Sequence, residues 1–146
     1  MTYALTPPAT VAPAGDAARF FRLVLRVDSV STAVMGVVLV AAAVPLGSAT
    51  GMPVAFAVAF GIFQIGGAAV LALIAGYPVI PLALARTVVV VNALCAVGCV
   101  VTAFSDFVPL NGFGVVFLLI GAVIVAVYAA LQYTGLRRMT AASSSR

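Results

Sequence analysis

Lysine, glutamate, histidine and tryptophan are all missing from the 146 residues, and each absence removes a class of chemistry. Without histidine the chain has no imidazole to shuttle protons, ligate haem or complete a zinc site. Without lysine and glutamate its charge reduces to seven arginines set against Asp16, Asp28 and Asp106, a net of +4. Only 7% of the residues are charged, where soluble domains carry roughly 25%. What is abundant is apolar: 65% of the residues are hydrophobic and the mean hydropathy is +1.32. Such a chain belongs in a bilayer. At roughly 20 apolar residues per helical crossing, its length supports four or five crossings and little else.

Valine-rich runs such as residues 88–91 favour strands in water. In lipid each spanning segment must bond its own backbone, so these runs read as helices. A transmembrane barrel would instead show alternating segments of about ten residues. The expected fold class is therefore all-α, a four-helix transmembrane bundle.

Residues 1–18 mix proline, alanine and threonine without an apolar run and read as a flexible tail, not a cleavable signal peptide. Spans are expected over about 20–44, 54–75, 82–104 and 113–133, the third starting between Leu82 and Thr87. Turn formers separate them: PLGSATGMP at 45–53, GYPVIP before Arg86, and SDFVPLNG at 105–112. The transmembrane domain closes at Arg138, and residues 139–146 form a second polar tail. Arg19, Arg22, Arg26, Arg86, Arg137, Arg138 and Arg146 all fall at one end of these spans, and the other two loops contain no arginine. The positive-inside rule then places both termini in the cytoplasm of a multi-pass bacterial inner-membrane protein. Arginines parcelled out in this way form no single solvated face, which argues against nucleic acid as a partner. The partners expected are the lipid bilayer and either another membrane protein or further copies of the chain.

Asp28 is the one acidic residue within an expected span, where an ionised carboxylate needs a partner, water or a proton. Ser31 and Thr32 share its helical face. The third span starts from the same side of the membrane. Arg22 to Asp28 and Arg86 to Asn92 are equal steps of six residues, so Asn92 should lie at the depth of Asp28. Asn92 is the first candidate partner and Arg86 the second. The descending fourth span brings Tyr128 and Gln132 to the same level. The bland reading of this polar cluster is interhelical glue. On the second span Ala57, Gly61, Gln64, Ala68 and Ala72 form a small-residue stripe suited to helix packing, while Phe56, Phe60 and Phe63 make a separate ridge. Cys95 and Cys99, four apart on one helix, are poorly placed for a disulfide and make an incomplete metal site, so no metal or other cofactor is expected.

An offset of 64 residues superposes Arg22 on Arg86, Asp28 on Asn92 and Pro45 on Pro109, the pattern of two helical hairpins related as parallel repeats. The motifs LRVDSV, VVNALCAV and LQYTGLRR resemble a family of small four-helix integral membrane proteins common in high-GC Gram-positive bacteria, over most of residues 22–138. That resemblance implies the four-helix architecture and the pairing of Asp28 with Asn92, and it implies no activity. The tryptophan those proteins carry beside the asparagine is replaced here by Leu94 and Cys95. Small multidrug transporters are similar in architecture alone, with four short helices and one carboxylate in the first. The functional expectation is a non-enzymatic scaffold or accessory subunit. The alternative is a proton-coupled carrier using Asp28, and no nucleophile and base pair points to an enzyme.

Overall fold

The computed structural model describes residues 14–144. Five helices follow in order: α1 Ala14–Ala41, α2 Ala43–Thr50, α3 Val54–Gly76, α4 Leu82–Phe104 and α5 Gly112–Ser144, with no strand among the described residues. Four of them, all but α2, are long and apolar enough to cross a membrane. Their outward faces carry large exposed side chains such as Leu23, Val30, Ile62, Leu73, Leu94, Val123 and Phe104. A water-soluble protein would not expose so much contiguous apolar surface. The chain is a multi-pass membrane protein.

Helix ends follow local chemistry. Pro45 has no N–H to give the carbonyl of Ala41, so α1 stops there. The chain then resumes helically from Ala43 with Pro45 in the tolerated first turn. Residues 43–50 were expected to be the end of a span and a turn, and they instead form α2. Gly51, at φ 77°, ends that helix in the left-handed conformation, its N–H donating to the Gly47 carbonyl at 2.9 Å. Tyr77, held extended ahead of Pro78, ends α3. Asn111 starts α5 by accepting the Gly114 N–H on its side-chain oxygen at 3.0 Å.

Two helices run past their expected bounds. α1 begins at Ala14, inside the stretch expected to be a flexible tail, because alanines favour the helix and Asp16 complements its N-terminal dipole. Residues 1–13 lie outside the described residues. α5 continues to Ser144 through the expected second tail, and there Thr140, Ser143 and Ser144 satisfy their hydroxyls on carbonyls three or four residues earlier. Its 33 residues span about 50 Å against about 30 Å of hydrocarbon.

α1 and α5 form the central pair, with α3 against α1 and α4 against α5. Two apolar clusters tie the ends. At the arginine-bearing end Phe21, Leu25, Leu71, Ile74, Val88 and Leu136 pack together; at the other end Met52, Ala57, Ala103, Val108 and Leu118 do so. The polar centre lies between them.

Candidate functional site

Asp28 stands on the face of α1 that also carries Thr32, one turn on, and it is buried, with 2% of its surface exposed. Its carboxylate accepts three hydrogen bonds. Thr32 Oγ1 donates to Oδ1 at 3.0 Å, and Asn92 Nδ2 of α4 and Gln132 Nε2 of α5 both donate to Oδ2 at 2.7 Å. Asn92 also donates to Gln132 Oε1 at 3.0 Å, closing a ring of three side chains from three helices. The two 2.7 Å contacts lie in the range of charge-assisted bonds. Among the described residues no guanidinium is ion-paired with the carboxylate; amide and hydroxyl dipoles compensate it instead.

A second layer surrounds this ring. Ser31 Oγ lies 3.0 Å from the Asp28 backbone carbonyl and 2.9 Å from the Tyr128 hydroxyl. A serine has one hydroxyl hydrogen, so when Ser31 donates to the carbonyl, Tyr128 donates to Ser31. Tyr128 and Gln132 are four apart on α5 and reach α1 together. The structure thus brings Asp28, Ser31, Thr32, Asn92, Tyr128 and Gln132 to one level.

Arg86 is not there. Its side chain is exposed, and the expectation that it joins the cluster, or serves as second partner of Asp28, is corrected. Six residues set the right depth but also rotate the helix by about 600°, which leaves Arg86 about 120° away from Asn92 around α4.

The α3 stripe faces α1. Ala57, Gly61 and Ala68 are buried and Gln64 is half-buried, but Ala72 is exposed, so the stripe ends a turn early. Phe56, Phe60 and Phe63 stack along α3 with ring centroids 5.9 and 6.4 Å apart. Cys95 and Cys99 are free thiols, each half-buried.

Three contacts had no place in the sequence reading. Gly36, the one glycine in the first expected span, is the partner of Gly61 across the α1–α3 crossing. Ser29, beside Asp28, donates to the Ala68 carbonyl of α3 at 2.8 Å, a bond no side-chain pattern on α3 announces. Arg22 donates to the carbonyls of Tyr77 and Pro78 at 2.7 and 3.1 Å and so holds the loop between α3 and α4. Pro78 and Pro81, three residues apart, are its only sequence signal.

No known family, curated protein or solved structure matches this chain.

Proposed function

We propose that this is a non-enzymatic scaffold or accessory subunit of a bacterial cytoplasmic-membrane assembly, with both termini in the cytoplasm. The proposal extends to membership of the four-helix family that its motifs resemble. The observation that carries the reading is that the buried Asp28 carboxylate accepts hydrogen bonds on both oxygens from Thr32, Asn92 and Gln132. A carboxylate bonded on both oxygens by its own bundle has little left to offer a solute, and it fastens α1 to α4 and α5. The chemistry of the site is then that of a lock, with the lipid-facing sides of the outer helices free for another membrane protein or a second copy.

The alternative is a proton-coupled carrier of small solutes, favoured by one feature: a carboxylate within a span that has no cation beside it changes the charge of the bundle whenever it takes a proton. Proteoliposomes separate the two. With an imposed pH gradient and a lipophilic cation as solute, the scaffold reading expects equal gradient decay for the native protein and Asp28→Asn, and a similar melting temperature. Gradient decay that requires Asp28 would overturn it in favour of the carrier.

A further inference from the structure

Five arginines lie on the surface of the bundle. Arg19, Arg26, Arg86, Arg137 and Arg138 are exposed, and none is ion-paired among the described residues. Arg22 differs, being half-buried and bonded to the loop carbonyls. All six stand at one end of the molecule, whereas the loop joining α4 to α5 at the opposite end carries only Asp106.

The placement of three of them is specific. Arg26 lies about 10 Å along α1 from Arg19, on an outward stripe with Leu23, Val27 and Val30. An arginine on such a stripe keeps its charge solvated by extending along the helix to the phosphate level. Arg137 stacks over the Tyr133 ring at 5.9 Å, and Arg138 over the Phe20 ring of α1 at 5.1 Å. Stacking occupies the face of a guanidinium and leaves its in-plane N–H groups free, in the fork that matches two phosphate oxygens. Tyr133 is of a residue type enriched at membrane–water interfaces.

We propose that this collar is a binding surface for anionic phospholipid headgroups of the leaflet in which it stands, held chiefly by Arg137, Arg138 and Arg26. Charge complementarity selects the occupant: the surface is cationic, presents bidentate donors and lies at headgroup depth. Zwitterionic lipids offer the same phosphate with a cation attached, which the neighbouring arginines repel.

Native mass spectrometry of the full chain in detergent, offered phosphatidylglycerol and phosphatidylcholine in equal amounts, tests this. Preferential retention of phosphatidylglycerol is expected. Each arginine near an anionic surface contributes a factor of about five, so the double variant Arg137→Gln/Arg138→Gln should hold phosphatidylglycerol roughly thirtyfold more weakly. Arg26→Gln alone should weaken it about fivefold, and it serves if the double variant does not fold. Arg22→Gln should lower the melting temperature and leave the lipid preference intact. Equal retention of the two lipids, or unchanged retention in the arginine variants, overturns the proposal. So does an increase in retention for Asp106→Asn as large as the loss for an arginine, since net charge alone would then be acting.

Discussion

Gly36 on α1 and Gly61 on α3 cross so closely that a methyl group on Gly36 would lie 2.8 Å from the Gly61 carbonyl oxygen, and one on Gly61 would lie 2.7 Å from that of Gly36. Backbone meets backbone there, the close approach by which helices gain van der Waals contact in a solvent as apolar as themselves. Gly61→Leu should force α1 and α3 apart at a cost of about 1–3 kcal/mol. Phe60→Leu should do less, because Phe60 is half-buried and stacks on its neighbours along α3. Thermal melting in detergent distinguishes them, and equal stability would argue against this crossing.

A second close contact closes the far end. A Cβ at Gly114 would collide with the backbone carbonyl of Thr50, which is already the acceptor for the Asn111 N–H at 2.9 Å. The same asparagine donates from its side chain to the Ala49 carbonyl at 2.8 Å. Neither backbone can yield without breaking the bond between the end of α2 and the start of α5. Gly114→Ala is therefore expected to destabilise the protein by at least the 1–3 kcal/mol of ordinary overpacking. Gly121→Ala, in the interior of α5 where nothing lies within 4 Å, should be neutral to slightly stabilising. Comparable melting of the two variants would mean that α2 is not seated on α5 in this way.

How much of this was legible depends on which geometric rule a residue obeys. Depth is legible, because rise per residue and a shared starting end suffice to bring positions 28 and 92 level. Rotation is harder, and Arg86 shows why: a count that fixes height leaves the angle to be worked out separately. Crossings between helices are pairwise properties. The stripe on α3 shows in its own spacing, whereas Gly36 sits in a valine-rich run that gives no sign of what it faces. The break at Ala41 follows from Pro45, but the resumption as α2 depends on tertiary seating against α3 and α5. The helical continuation to Ser144 was hidden because serine and threonine are weak helix formers and read as tail residues.

The orientation is open to direct measurement. With all six described arginines at one end, the rule governing translocation predicts that a periplasm-active reporter placed after Arg146 is inactive and one inserted near Ser48 is active. Arg146 itself lies outside the described residues, and the other six arginines suffice for the bias. The opposite reporter pattern would place the arginine collar on the outer face and remove the basis for cytoplasmic termini.

The ring formed by Asp28, Asn92 and Gln132 allows its charge to be moved. Positions 28 and 92 are 64 residues apart, the same offset that aligns the two hairpins, and they meet at 2.7 Å. Asn92→Asp alone would set two carboxylates at that distance with no cation between them, and should be the most damaging change at this level. Asp28→Asn alone keeps an oxygen facing Asn92 and should be mild. Combining them moves the carboxylate from α1 to α4: the new amide at 28 can donate to it, and Gln132, which carries both donor and acceptor, can serve either arrangement. Thr32 would then donate to the amide oxygen at 28, and the relocated carboxylate would keep two donors where Asp28 has three. The double variant should therefore melt well above Asn92→Asp and somewhat below the native protein, with a coupling of about 1–3 kcal/mol in a double-mutant cycle in nanodiscs. A double variant no more stable than Asn92→Asp would show that the two positions are not interchangeable, and that the charge is held at 28 by more than this ring.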